Sequence, residues 1–527
     1  EYLGDAFIPE PSGNLVKRLK LEEDGGLVTG RNAYDGKEFL TSTDERFRPV
    51  NAYTGPDGAL YLVDMARGVI QHKGFLTYYL VKNIKDRDLE QPINLGRIWR
   101  IVPDGADPRL VKLPKDPAAI VPFLAHANGW VRDTAQRVLI ERGDASVVER
   151  VQKVVAGAPN PQGRVQALWT LEGLKALTPE IVAGRLADPD EHVRATAVRL
   201  ADHTMAPQLI ALAEDPSPLV RLAVAFEISA QTTPEANQTI ATILEKGGSP
   251  LLAEAVASGA RGRELELMQA LLDRPPTGDA SLAKTGIFKL LADCIMNDRR
   301  PSRIAALIDF LGTLEPNSPR LDAILEGMAR EPKGKNVKTK LIYLDAAPAP
   351  LASLAGRATG KTKSMLANID RQLAWPDKPG VPPPPKIEPL TADQQAHFEH
   401  GKVLYATICA ACHQANGAGL EGLAPPLLDS EWVLGPADRP IRIVTQGLTG
   451  PVPVAGATWN LEMPGLPIFS DEDVASILTY IRREWEHTAD PVSPKEVASV
   501  REQHKDRAQP WTAKELTEKE EPKQAAR

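Results

Sequence analysis

Cys409-Ala410-Ala411-Cys412-His413 sets two thiols three positions apart, with an imidazole directly after the second. C-x-x-C-H is the c-type haem attachment pattern. Each thiol can form a thioether to a haem vinyl group, and His413 then sits under the iron as proximal ligand. Zinc or thiol–disulfide exchange are the competing uses of such a pair. Zinc would want a second ligand pair, and the only other cysteine, Cys294, lies 115 positions upstream (409 − 294). A thioredoxin-like C-x-x-C would want a βαβ context, which the surrounding pattern lacks. Met463, in Leu461-Glu462-Met463-Pro464-Gly465, lies 50 residues past His413 (463 − 413) and is the only methionine after Met365. It stands in a Pro/Gly loop, where a core role is less expected, and methionine with histidine is a standard axial pair of haem iron. His413 and Met463 are therefore the candidate metal ligands.

These residues need a frame. Gln394 to Ile408 reads as a helix leading into the motif, with Gly401 and Tyr405 placed for a close helix crossing. Pro425-Pro426 follow a turn rich in glycine (Gly417, Gly419, Gly422), and Asp471 to Trp485 reads as a closing helix. Val474, Ile477, Leu478 and Ile481 form its apolar stripe, with Tyr480 beside it.

Together, Gly401, Tyr405, CAACH, the Pro425 region, Met463 and ILTYIRREW resemble a class I cytochrome c domain over residues 394–486. In that family a proline-loop carbonyl accepts a hydrogen bond from the proximal imidazole, which implies Pro425 or Pro426 here. Holding the second nitrogen in this way fixes the ring and raises its basicity. Trp432, Arg439, Arg442 and Trp459 can reach a haem edge or its propionates, arginine being suited to carboxylates; ordinary surface pairing weighs equally. The cofactor-binding set is thus Cys409, Cys412, His413, Met463, Pro425, Tyr405, Trp459 and Arg442, around one covalent haem c. His397 and His400 precede the motif on the helix and read as surface residues.

The 527 residues allow several domains. Apolar content of 43% and charged content of 25% are ordinary for globular protein. A formal charge of −7 argues against a nucleic-acid surface. Two of the three cysteines belong to the haem motif, so disulfides are not the stabilising device; Cys294, in the apolar run Ile287 to Met296, reads as a buried small hydrophobe. No run approaches the roughly 18 apolar residues of a membrane span. Neither a signal peptide nor an initiator methionine is seen, and Glu1 reads as mid-strand, as in a mature or truncated piece.

Residues 1–104 show short β-like runs, at Asp5–Pro11, Leu15–Leu21, Asn51–Tyr53, Ala59–Val63 and Arg97–Val102, with a strong turn at Gly55-Pro56-Asp57-Gly58. About five strands cannot close a propeller, which needs at least four blades of four strands. EPSGNLVKR, TSTDERFRPVNAYTGPDGALYLVDMARGVIQH and LGRIWRIVPDG resemble the final propeller blades of the haem-binding CxxCH proteins of planctomycetes and verrucomicrobia (PVC type), often called putative membrane-bound dehydrogenases. That resemblance implies a truncated propeller, similar to that of quinoprotein sugar dehydrogenases. It also implies pyrroloquinoline quinone and calcium in a part upstream of Glu1, and a bacterial periplasmic or extracytoplasmic location. Asp44, Arg46, Arg48, Asp64 and Arg67 cluster here, either lining a substrate or quinone site or, as the more economical reading, forming turn-stabilising ion pairs.

Residues 105–365 carry an internal repeat around Val131-Arg132, Arg164-Val165, Val193-Arg194 and Val220-Arg221, the valines spaced by 34, 28 and 27 residues (165 − 131, 193 − 165, 220 − 193). Each copy follows a turn and a short apolar helix, as in a HEAT-like helix–turn–helix array. The arginines are expected to cap turn carbonyls or to pair with a neighbouring aspartate. His126, His192 and His203 read as surface or turn residues. Residues 366–390, with Pro382 to Pro385, read as a semi-rigid spacer cut by proteases near Lys386. Residues 391–490 form the haem domain, and residues 491–527 a charged tail in which Pro510-Trp511-Thr512 and Glu515-Leu516 read as a docking anchor, the last ten or so residues being disordered.

The expected fold class is mainly α, a HEAT-like α-solenoid plus a class I cytochrome c domain, preceded by a partial β-propeller. Two functions compete. One is a haem c electron-transfer protein, the cytochrome part of a quinoprotein-like sugar or alcohol dehydrogenase, exchanging electrons with a redox partner protein or acceptor and not catalytic by itself. The other is a solenoid scaffold that holds a protein partner, with the haem as a sensor. A sixth ligand at Met463 separates them, because it closes the iron to small molecules. A hydrolytic role finds no G-x-S-x-G elbow and no metal-ligand His pair.

Overall fold

The computed structural model describes residues 2–70, 78–106, 109–272, 281–314, 318–330, 341–382, 388–420, 423–454, 457–460, 462–507 and 509–517. The chain divides into two compact units, residues 1–287 and 288–527. This division falls inside the helical stretch. Pro383, Pro384, Pro385 and Lys386 of the expected spacer, and the last ten residues, lie outside the described residues.

The first unit begins with strands β1 (Asp5–Glu10), β2 (Leu15–Asp24), β3 (Leu27–Asn32), β4 (Leu40–Thr41), β5 (Pro49–Thr54), β6 (Leu60–Asp64) and β7 (Arg97–Ile101). Strands β1, β2 and β3 pair antiparallel in that order with β4 added on β2, and β5, β6 and β7 form a second antiparallel sheet. Both sheets are small and open. Strand β3 was not legible beforehand because it is exposed along nearly all its length, so it carries no two-residue alternation.

The charged cluster stitches turns together. Buried Asp64 accepts from the Arg48 and Ala66 backbone N–H groups (2.8 Å each), from Trp99 Nε1 (2.9 Å) and from Arg97 Nε (3.0 Å). The Arg48 guanidinium donates to the carbonyls of Pro11 (2.8 Å), Arg67 (3.1 Å) and Gly68 (2.8 Å). Arg46 donates to the carbonyls of Asp88 and Gln91.

Short helices follow, and the repeat arginines act alike in them. Helices Gly129–Arg142, Pro161–Gly173, Glu191–Arg199 and Pro218–Ile228 start on side-chain caps from Asn128, Asn160, Asp190 and Ser217, which satisfy otherwise orphaned N–H groups. Arg132, Arg164, Arg194 and Arg221 each donate from Nη1 to the carbonyl six residues back, those of His126, Ala158, Asp188 and Asp215. Arg164 then grips Asp188 with both arms (3.0 and 2.8 Å), and Arg194 grips Asp215 (both 2.9 Å). Each link ties one helix start to the next turn. Val131, Val193 and Val220 are fully buried, whereas Val165 is half-buried.

In the second unit, helix Gly360–Gln372 runs through the start of the expected spacer with Leu366 and Ile369 buried. Short strands β8 (Ile342–Tyr343) and β9 (Leu373–Ala374) pair in parallel beside it. Cys294 is half-buried, not the fully buried residue expected. The leading helix Ala392–Leu404 starts on a Thr391/Gln394 capping box and crosses the closing helix Asp471–Arg483, which starts on a Ser470/Asp473 box. Gly401 lies at the crossing: a Cβ there would sit 2.0 Å from the Ser476 carbonyl oxygen. Tyr405 packs against Tyr480 (5.3 Å) and edge-on to Trp485 (5.5 Å). The remaining pieces are β10 (Gly447–Thr449), β11 (Pro451–Val454), β12 (Ala457–Asn460), β13 (Met463–Pro464), helix Pro494–Gln503 and β14 (Trp511–Thr512). They form a hairpin, β11 with β12, and a small sheet in the order β13, β10, β14.

Two substitutions test this packing. Gly401→Ala should cost about 1–3 kcal/mol, the usual penalty of overpacking, in guanidinium unfolding followed by near-UV circular dichroism of the Tyr405, Tyr480 and Trp485 rings; an unchanged midpoint would contradict the crossing. Arg194→Ala should cost about 3 kcal/mol because it strands a buried carboxylate, whereas Arg31→Ala, from the exposed pair with Glu22, should cost under about 0.5 kcal/mol. Equal losses in urea titrations would overturn the distinction.

Candidate functional site

After Leu404 the leading helix widens into a π-helical turn over Tyr405–Cys409 and ends in the single turn Ala410–His413. Such wide turns recur at functional sites. Cys409 closes the π-helical turn, and Cys412 lies three positions on, in the turn Ala410–His413. Cys409 lines a cleft, and Cys412 is exposed. Burial, with Cys412 nearby, pushes the Cys409 thiol up to about 11.

His413 lines the same cleft, and its Nδ1 lies 2.9 Å from the Pro425 carbonyl oxygen. A carbonyl only accepts, so Nδ1 carries the proton. Burial lowers the imidazole pKa, opposed by that same bond. The ring is therefore neutral, with its lone pair on Nε2, as metal ligation requires. The backbone arrives at Pro425 through Gly419, whose φ is +69° and where a Cβ would lie 2.5 Å from the Ala424 carbonyl oxygen. Of the two prolines open beforehand, Pro425 makes the bond. The Tyr405 hydroxyl donates to the Gln414 carbonyl at 2.7 Å, fixing the backbone just past His413.

The cleft has about 660 Å³ of atom-free space, its open mouth included, and its walls are almost wholly apolar. Tyr405, Cys409, His413, Pro425 and Met463 all line it, with Trp432, Val452, Val454 and the Ile477–Leu478–Ile481 stripe. Met463 is held in β13, where it pairs with Leu448 of β10; a two-residue strand leaves no periodic trace in a sequence. Arg442 and Trp459 are not among the cleft's lining residues. The Arg442 guanidinium bonds Asp438 and lies 5.0 Å from the centre of the Trp511 ring. Arg439 lies over Trp432, whose Nε1 donates to Pro453. Trp459 Nε1 is buried and has no acceptor among the described residues. His397 meets Ser476 and His400 meets Asp473, both on or beside the closing helix and away from the cleft.

The donor set fits a haem. An apolar slot carries a thiol, a neutral imidazole with a free nitrogen and a thioether on its walls, and a nearby indole N–H wants an acceptor such as a carboxylate. Among the described residues no cluster of three or more His, Cys, Asp or Glu side chains that could hold another metal is formed.

Comparison with known proteins supports this assignment. The family model for cytochrome c matches residues 398–485, and a domain of unknown function, DUF7133, matches residues 1–105. Cytochrome c-552 of Thermus thermophilus is 34% identical over 89 residues, which are 16% of this chain and 67% of that protein. A second cytochrome c-552 of Thermus thermophilus is also 34% identical over 89 residues, and 60% of its length is spanned. The gluconate 2-dehydrogenase cytochrome c subunit of Pantoea cypripedii is 36% identical over 108 residues, 19% of this chain and 24% of that subunit. Through this C-terminal domain, the chain belongs to the cytochrome c family.

Proposed function

We propose that the chain is an electron carrier holding one haem c on Cys409 and Cys412, with His413 and Met463 as axial ligands. The observation that carries this is the placement of both ligand side chains on the walls of one apolar cleft, with the His413 ring oriented by Pro425. When bound, haem c supplies a one-electron iron couple. The protein's part is orientation and exclusion. Pro425 fixes the imidazole tautomer, the apolar walls would keep water from the haem, and Met463 would hold the iron together with His413. Tyr405 braces the motif from behind. Trp459 is assigned to a propionate through its unpaired N–H. Arg442 is proposed as a supporting residue through Asp438 and Trp511.

The donor of electrons is proposed to be a sugar or alcohol dehydrogenase of the quinoprotein type. Support comes from the similarity to a gluconate 2-dehydrogenase cytochrome c subunit and from the PVC-type resemblance of residues 4–104. On that resemblance residues 1–104 are proposed as the last blades of a propeller, of a kind that takes pyrroloquinoline quinone and calcium. The helical repeats to about residue 365 are proposed as a HEAT-like scaffold that holds a partner, and residues 391–490 as the haem domain. The location is proposed to be the bacterial periplasm; among the described residues no helix is long and apolar enough to cross a membrane. The sensor reading would instead need an iron open to small ligands, which Met463 on the cleft wall disfavours.

Protein matured with haem-attachment machinery should give a pyridine haemochrome of a twofold thioether-linked haem and a haem-bearing peptide containing Cys409 and Cys412 in mass spectrometry. Haem that acid–acetone extracts freely would end the proposal. Met463→Ala should abolish the near-infrared sulfur-to-iron charge-transfer band of the oxidised protein and lower its reduction potential. Survival of the band would mean a different sixth ligand.

A further inference from the structure

Beyond the closing helix the chain turns back on the side of the cleft that carries Met463. Helix Pro494–Gln503 buries Val497 and Val500 in the core shared with the closing helix. Strand β14 then pairs in parallel with β10, matching Trp511 to Leu448, and the other edge of β10 pairs with β13, matching Leu448 to Met463. One residue, Leu448, thus joins the tail to the methionine.

Side chains reinforce this register. Trp511 is buried with Trp432, Ile443, Leu448 and Val452, all four of which line the cleft, and Met463 packs against the same cluster. Trp511 Nε1 donates to Gln446 Oε1 at 2.8 Å. Gln446 Nε2 in turn donates to the His504 carbonyl at 2.6 Å. The Arg507 guanidinium lies 3.7 Å from the centre of the Trp511 ring and also pairs with Glu515 at 2.9 Å. Glu515 accepts from the Thr512 backbone N–H at 2.8 Å, and Leu516 is buried in the cluster.

A strand of two residues, one of them a proline without an N–H, has little hold of its own. A neutral thioether is a weak partner, and ordering its loop costs conformational entropy. Something else must restrain Met463, and the tail is placed to do so. We propose that residues 504–507 and 509–517 form a clasp over the distal side of the cleft, in which Trp511 is a positioning residue that keeps Met463 in place and small ligands out. This rests on the reading of Met463 as the distal ligand.

The test uses the full chain loaded with haem c. Rates of cyanide and imidazole binding to the oxidised protein are measured with the sulfur-to-iron band, haem content and far-UV circular dichroism. Trp511→Ala should bind both probes at least about tenfold faster, the scale of outer-shell effects on metal sites, and should weaken the band, with haem content and helicity unchanged. Trp511→Phe should restore most of the parental behaviour, and truncation after Gln503 should match Trp511→Ala. Parental rates and band in both Trp511→Ala and the truncated chain would overturn the clasp. If Trp511→Ala retains no haem, Gln446→Leu takes its place: faster binding supports the clasp, and the parental rate overturns it. Met463→Ala separates the two readings. If it behaves as the parent, the ligation reading fails and the clasp falls with it; if it opens the site while neither Trp511→Ala nor the truncated chain does, the clasp alone fails.

Discussion

The leading and closing helices touch through bare backbone, and the haem cleft depends on that contact. At Gly401 no side chain stands between the helix and the Ser476 carbonyl. The close approach lets Tyr405, one turn later, pack between Tyr480 and Trp485. From there the Tyr405 hydroxyl reaches the Gln414 carbonyl and fixes the backbone directly after His413. The π-helical turn at Tyr405–Cys409 delays the helical register by a residue between this anchor and the motif. Cys409 then faces the cleft while Cys412 stays at the surface. A backbone contact is thereby converted, through one hydroxyl, into the placement of the backbone beside His413.

Charge is kept out of the cleft by the way its neighbours are paired. His413 is neutral because it is buried and its proton is committed to Pro425. Arg442 is turned to Asp438 and the Trp511 ring. Arg482, also buried, donates to the backbone carbonyls of Val433, Gly435 and Asp490. In so apolar a lining a single charge change is weakly screened. A polar group beside that lining, such as the buried Trp459 N–H, would then bear on the potential of any redox centre held there.

Much of this site was legible in the sequence because its chemistry is written in short, fixed spacings. CAACH, the lone methionine after Met365 and the stripe Val474, Ile477, Leu478 and Ile481 needed only local rules, and the stripe is buried along its whole length. What local rules could not show were pairings between distant short segments. Strand β13 is two residues long and gains its identity from β10, and β14 gains its own from a partner far back in the chain. Arg442 looked suited to a propionate because residue type was visible and its competitors, Asp438 and Trp511, were not visibly near. Pro510-Trp511-Thr512 was read as an anchor, but only the fold shows that it anchors to its own domain. In the first unit, β3 escaped notice because it buries no face.

The haem cleft and the helical repeats both have buried apolar cores and differ in the polar links added to them. The haem cleft is shaped by apolar packing and a handful of single hydrogen bonds. The helical repeats are tied by arginines that each bond the carbonyl six positions back, and two of them also clamp the aspartate of the following turn. Planar, two-armed arginine–carboxylate pairs resist shear in a way that sliding apolar surfaces do not. Cytochrome c similarity covers less than a fifth of the chain, so most of its residues serve something other than holding the iron.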